Sequence, residues 1–270
     1  MNTVLKYPGS KWSMTDWIIS NFPADYEKMT YLEPYAGSLA VFFNKKRSQI
    51  ETINDLDNNI TNLFEVIREQ PEEFKRAIKY TPWARQEYKN SYEMTGDSLE
   101  DARRFLVRCW QAIGTKTSDI SGWSNHIKPG DTGTSRWTRL DKSIDEAAKR
   151  LQSYKKCLVQ IENMPAVDLI RRYNRPYVFI YCDPPYVLST RSKRIYKCEM
   201  TDNDHIELLE ALTGHTGPVM ISGYMNEIYN EMLKGWTVKT NKSNCEMGKA
   251  ATEVIWMNYK PSNEQLSLSI

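Results

Sequence analysis

Residues 181–186 read Tyr-Cys-Asp-Pro-Pro-Tyr and directly follow a β-branched and aromatic run, Tyr177-Val-Phe-Ile-Tyr181. Two consecutive prolines end a strand abruptly and carry no N–H of their own. That leaves the Asp183 carboxylate and the Pro184 carbonyl as acceptors held in a stiff turn. Such a pair suits a substrate amine with two N–H donors, and Tyr186 adds a ring that can stack on a planar group. The bland alternative is a rigid Asp-capped turn.

Three further segments can bind a ligand. Glu33-Pro34-Tyr35-Ala36-Gly37-Ser38 runs from a strand end into a helix start, where Gly37 permits a tight turn and the helix N-terminus favours an anionic group. Ile53-Asn54-Asp55 places an acid at the end of the next strand, about 20 residues on, the position that commonly holds ribose hydroxyls. The alternative role for Asp55 is to cap the following helix. Lys6-Tyr7-Pro8-Gly9-Ser10-Lys11-Trp12 is a Pro-Gly turn between lysines and aromatics. It lacks the GxxxxGK[ST] spacing of a phosphate loop. The chain also lacks GxGxxG, which argues against a nicotinamide or flavin dinucleotide.

These positions need strands to hold them. Strands are predicted at 31–35, 49–53, 158–161, 177–181 and 218–221, with helices at 38–46, 56–69, 204–212 and 226–233 between them. In helix 56–69, Leu56, Ile60, Leu63, Phe64 and Ile67 share one face. Alternating β and α elements imply a parallel sheet covered by helices. Two closing strands, 236–240 and 252–259, follow each other without a helix and should pair antiparallel. The rhythm breaks at Pro71. Residues 71–155 look mostly helical, with Ala102, Phe105, Leu106, Cys109 and Ile113 at helical spacing and a polar stretch at 114–140. A loop that long is usually functional or disordered. The chain therefore reads as an α/β domain formed by 1–70 and 156–270, with 71–155 inserted.

Composition narrows the classes. The 270 residues are 40% hydrophobic and 26% charged, as in a folded globular chain, with a formal net charge of +2. No apolar run approaches the roughly 20 residues of a membrane span, nor does the opening segment read as a signal peptide. The expectation is a cytoplasmic protein with no membrane partner. Five cysteines and three histidines are widely spaced with no CxxC, so neither a disulfide framework nor a metal site is expected.

Taken together, YPGSK, EPYAGS, IND and DPPY, in that order and with an insert before the last, resemble the Dam-type, D12-class DNA adenine-N6 methyltransferases. The resemblance spans nearly the whole chain, including the closing TEVIWMNY. It implies a Rossmann-like sheet that binds S-adenosylmethionine, an insert that recognises double-stranded DNA, and a monomer by default. Tyr7 and Lys11 match positions that contact the cofactor. Pro34, Ala36, Gly37 and Ser38 match the turn beside its methionine part. Asp55 matches the acid on its ribose. Asn163 falls near a position, often Asp in the family, that contacts its adenine. Asp183 is shared between cofactor and catalysis, and Pro184 and Tyr186 complete the catalytic set. One departure is Leu39: the family commonly reads AGSGA, here Ala36-Gly-Ser-Leu-Ala40. Position 39 is expected inside the helix, where a side chain is tolerated.

The implied reaction is direct methyl transfer to the exocyclic amine of an adenine flipped out of the duplex. Asp183 and Pro184 accept the amine's two N–H bonds, and Tyr186 stacks on the base. The insert supplies charge. Residues 102–160 hold twelve cations against five anions, a net of +7, which suits phosphate contacts. Lys116, Asn125, His126, Arg136 and Arg139 are candidate base or phosphate contacts, with Lys6 beside the pocket and 242–249 as a second contact. Trp123 and Trp137 read as wedges or as core anchors. No GATC-type hairpin is present, so no recognition sequence is assigned. Two alternatives remain at this stage. One is an amino-methyltransferase acting on cytosine N4, which often carries SPPY, on RNA, or on protein glutamine, which usually carries NPPY. The other is an inactive methyltransferase-like DNA-binding protein.

Overall fold

The computed structural model describes residues 2–127, 132–190, 194–244 and 250–261. One mixed sheet holds seven strands: β1 (Thr30–Glu33), β2 (Ile50–Asn54), β3 (Leu158–Glu162), β4 (Val178–Cys182), β5 (Val219–Gly223), β6 (Thr237–Asn244) and β7 (Ala250–Met257). Their order is β3-β2-β1-β4-β5-β7-β6. All neighbours are parallel except β7, which runs antiparallel to both β5 and β6. This is a Rossmann-like open sheet with a closing antiparallel strand pair.

The strands alternate their side chains between two apolar layers, as the pleat requires. On β4, Phe179 and Tyr181 enter one layer, and Val178, Ile180 and Cys182 the other. On β7, Ile255 and Met257 face the first, and Val254 and Trp256 the second. All five β4 residues are buried, which explains the unbroken apolar run. At about 1.5–3 kcal/mol for each large apolar side chain, this strand is a main contributor to the core.

Among the described residues, eleven helices cover the sheet and fill the crossover between β2 and β3. They are α1 (Thr15–Ser20), α2 (Ala40–Asn44), α3 (Asn58–Glu69), α4 (Pro71–Lys79), α5 (Arg85–Asn90), α6 (Ser98–Gln111), α7 (Thr132–Trp137), α8 (Leu140–Leu151), α9 (Ala166–Arg172), α10 (Asp202–Thr213) and α11 (Glu227–Met232). Helix α3 buries Ile60, Leu63, Phe64 and Ile67 and is capped by Asp57, which accepts from the Asn59 N–H at 3.1 Å. Leu56 departs from the expected pattern. It precedes the helix and is 55% exposed at the mouth of a cavity. Ile113 likewise lies beyond the end of α6 and is 60% exposed.

Residues 71–155 lie in the crossover between β2 and β3. Their helices share a core with the sheet: Phe74 of α4, Phe105 and Leu106 of α6, and Ile144 and Leu151 of α8 join the layer that contains Phe64 and Tyr181. Arg150 of α8 reaches back to β2, donating to both Glu51 carboxylate oxygens (2.5 and 2.8 Å) and to the Phe42 carbonyl (3.0 Å). Lys45 ion-pairs with the same buried carboxylate.

Candidate active site

The sheet order fixes where a ligand can bind. From β1 the chain works outward through β2 and β3, then returns to β4 on the other side of β1 and continues to β5. The crevice at the carboxyl ends of β1 and β4 is the switch point where such sheets bind ligands. A cavity of about 370 Å³ opens there, within the range of small-molecule sites.

Four segments meet at this cavity. Tyr7 and Lys11, the turn residues Pro34, Ala36, Gly37 and Ser38, Asp55, and Asp183 all line it. Backbone geometry explains the turn. Gly37 has φ +47°, and a Cβ there would lie 3.3 Å from Tyr7 Cδ1. Its N–H donates to Asp55 Oδ2 at 2.9 Å, and the Asp57 N–H donates to Oδ1 at 2.9 Å. Burial lifts the Asp55 carboxyl to about 6, against the pull of those N–H donors. Buried Asn54 ties the loops together, donating to the Pro34 carbonyl (2.9 Å) and the Met164 carbonyl (3.1 Å). The hydroxyls of Ser10 and Ser38 are 2.8 Å apart and join the N-terminal turn to the β1 turn.

Leu39 is corrected by the structure. Helix α2 begins at Ala40, and Leu39 precedes it in the left-handed region at φ +55°, ψ +28°. Its side chain is fully buried in the core. A left-handed non-glycine residue costs about 1–2 kcal/mol, and burying the leucine offsets this by about 1.5–3 kcal/mol. Ser38 too lies before the helix rather than in it.

At the end of β4, Lys11 Nζ contacts Asp183 Oδ2 at 2.9 Å and donates to the Gly9 carbonyl at 2.8 Å. Lys11 is 5% exposed. Burial pulls its pKa down, but attraction to Asp183 and Glu253 outweighs this and raises it, so Lys11 stays charged. The same ammonium lies 4.8 Å from the centre of the Tyr186 ring, and Tyr224 meets that ring edge-on at 4.7 Å. The Tyr186 hydroxyl lies 2.6 Å from Glu253 Oε2 and 3.3 Å from Asp183 Oδ1. Pro184 and Tyr186 are buried beside the cavity rather than lining it.

Glu33 closes the floor. It accepts from the Tyr31 hydroxyl at 2.6 Å, and burial pushes its carboxyl up to about 8. It was not singled out from sequence, although a carboxylate at the end of a buried strand is a signal in itself. Glu253 was also missed; its signal is a lone acid beside the apolar run Val254-Ile-Trp-Met257. The wall formed by Tyr196, Cys198 and Met200 had no sequence signal. A Cβ on Gly9 (φ +68°) would lie 2.1 Å from Tyr196 Oη, so that wall seats directly on the Pro-Gly turn.

Other expected residues lie elsewhere. Asn163 is exposed at the end of β3, outside the cavity lining, where its amide donates to the Asp55 carbonyl (2.6 Å) and Leu56 carbonyl (3.3 Å). Lys6 is half-buried just before the Pro-Gly turn. Lys116 pairs with Asp119, Asn125 and Arg136 are exposed, and exposed Arg139 donates to Ser135 Oγ at 3.2 Å. Trp137 is a core anchor, buried and edge-on to Trp83 at 5.9 Å. Trp123 is half-buried, donating to Gln111 Oε1 at 3.1 Å. Lys128 and residues 245–249 lie outside the described residues. Among the described residues no group of acidic, histidine or cysteine side chains could hold a metal ion, and no helix is long and apolar enough to cross a membrane.

A model of the D12 class N6 adenine-specific DNA methyltransferases matches residues 7–247. No curated protein matches the chain. Among solved structures, the rRNA methyltransferase AviRa from Streptomyces viridochromogenes is similar at 11% identity, with 100% of this chain and 94% of that chain covered and a TM-score of 0.41. A candidate RNA methyltransferase from Pyrococcus horikoshii is similar at 9% identity, covering 96% and 86%, with a TM-score of 0.37.

Proposed function

Since the chain belongs to the D12 class N6 adenine-specific DNA methyltransferase family, we propose that it methylates adenine N6 at one short DNA sequence, with S-adenosylmethionine as donor and the target base turned out of the duplex. The observation that carries this reading is Asp183, fixed at the carboxyl end of β4 by Lys11 at 2.9 Å and facing a ligand-sized cavity.

The cavity's residues fit the donor. The Asp55 carboxylate, anchored by two N–H groups, is placed for ribose hydroxyls. Leu56 and Val167 offer apolar surface for a purine, and the Asp183 carboxylate suits a cationic centre. When bound, S-adenosylmethionine supplies an electrophilic methyl group on its sulfonium.

The chain's own residues do the rest. An adenine amine is a poor nucleophile because its lone pair is delocalised into the ring. Lys11 occupies Asp183 Oδ2, so Oδ1 accepts one amine N–H and the Pro184 carbonyl the other. These two acceptors favour a pyramidal nitrogen and aim its lone pair. Tyr186 and Tyr224 supply aromatic surface for the base. Catalysis is then positioning and electrostatics, with the Asp183 carboxylate stabilising positive charge that develops on the nitrogen. Residues 71–155 form the target-recognition part, in which Lys116, Asn125, Arg136 and Arg139, with Lys6, contact DNA.

Asp183→Ala tests this reading. Its methyl transfer to DNA should fall about 10³-fold, as for loss of a key electrostatic group, in a protein that is less stable for the loss of Lys11's ion-pair partner but is shown to be folded by circular dichroism. Full activity in this variant would overturn it.

A further inference from the structure

The Tyr186 hydroxyl links two carboxylates. It lies 3.3 Å from Asp183 Oδ1 and 2.6 Å from Glu253 Oε2. A phenol has one proton to donate, and the shorter contact assigns it to Glu253. The hydroxyl's lone pairs then face Asp183 Oδ1, the oxygen that Lys11 leaves open. Two acceptors facing each other gain nothing until one of them carries a proton. That proton is produced by the reaction: a methylated amine nitrogen must lose one to regain its conjugation.

We propose that Tyr186 and Glu253 form a proton relay that clears the substrate's proton from Asp183. This deepens the proposed function and rests on it. The N–C bond forms as the methyl's bond to the donor sulfur breaks, its electron pair staying on that sulfur as a neutral thioether. The nitrogen's extra proton passes to Asp183 Oδ1, and Asp183 donates it to the Tyr186 oxygen as that hydroxyl gives its own proton to Glu253 Oε2. The N–H electron pair returns to the amine, no group is oxidised or reduced, and Glu253 later releases the proton to water. The driving force is the Lys11 ion pair. A proton left on Asp183 cancels the partner charge of a buried ammonium, which is costly; moving it to Glu253 restores the pair. Burial, foremost, raises the Glu253 carboxyl, so it is a ready acceptor. Burial likewise raises the Tyr186 phenol well above its ordinary value, so it passes a proton as a neutral hydroxyl rather than as a phenolate. Glu253 therefore acts through Tyr186 and need not touch the substrate.

The test compares wild type with Tyr186→Phe, which keeps the ring, and Glu253→Gln, which keeps the size but cannot take a proton. Three quantities are measured: S-adenosylmethionine affinity by calorimetry, turnover on DNA, and the rate in mixtures of light and heavy water. The relay predicts affinity within about twofold of wild type and turnover lower by about 10²-fold in each variant, the usual scale of a proton-transfer contribution. It predicts a curved dependence on deuterium fraction in wild type, from more than one proton in flight, and a linear one in Glu253→Gln. Glu253→Asp should recover part of the lost rate. Wild-type turnover in either variant would overturn the relay, as would lost cofactor affinity in Glu253→Gln, which marks a structural role. Wild type failing to methylate DNA at all would instead count against the proposed function.

Discussion

The carboxyl ends of β1 and β4 differ in kind from the candidate DNA contacts of the insert. At the strand ends, Lys11 meets Asp183 at 2.9 Å, Tyr31 meets Glu33 at 2.6 Å, and Gly37 meets Asp55 at 2.9 Å. Glu33, Asp55 and Asp183 stand at or just past the ends of strands from a buried sheet. In the insert, Asn125, Arg136 and Arg139 are exposed, and the hydrogen bond of Arg139 goes to its own turn through Ser135. Chemistry that must repeat to a fraction of an ångström is built on rigid elements. Groups that meet a long polyanion lie on the surface, where the partner organises them.

The largest way to break that contrast is Lys11→Met. It leaves buried acids without their cation, so stability should fall by about 3–5 kcal/mol, read by chemical denaturation, and methyl transfer should vanish with it. A stable, active Lys11→Met would mean that the site is not held together by charge. A pH series sharpens the same region. With its carboxyl at about 6, Asp55 is ionised above that value and neutral below it. Cofactor affinity should therefore fall by up to about tenfold per pH unit below 6, and Asp55→Asn should be weak at every pH. Calorimetry between pH 5 and 8 checks both.

Leu39→Gly probes the turn that leads from β1 into α2. It relieves about 1–2 kcal/mol of left-handed strain, but empties a buried leucine site at about 3–5 kcal/mol, by analogy with large-to-small core changes. A net loss of about 1–4 kcal/mol is expected, and a gain in melting temperature would contradict it. The smallest effects belong to the insert. Arg136→Ala and Arg139→Ala should each weaken DNA binding similarly on all sequences and lower the salt-dependence slope by about 1, with cofactor affinity unchanged. A change confined to one DNA sequence would reassign that arginine to base reading.

The contrast also explains what the sequence made legible. Strand β4 declared itself because all five residues are buried, and α3 because its apolar spacing follows one face. The four motifs could be ordered because each lies at a strand end or a turn with few allowed residue types. Leu39 was misplaced because a leucine in the left-handed region contradicts its own preference and is sustained only by tertiary burial. Helix α9 was overlooked: seven residues, with Leu169 and Ile170 buried, carry little periodic signal. Leu56 and Ile113 fit a helical spacing but lie just outside their helices, since spacing does not mark where a cap ends the pattern. Glu253 was missed because its partners, Tyr186 and Lys11, lie far from it in sequence and only the fold brings them together.

The most direct test of the central claim is transfer of labelled methyl groups from S-adenosylmethionine to mixed-sequence DNA, followed by single-molecule mapping of the modified bases. The account predicts N6-methyladenine confined to one short sequence. No methylation of DNA by a folded protein that binds S-adenosylmethionine, or methyl groups found on cytosine instead, would contradict it.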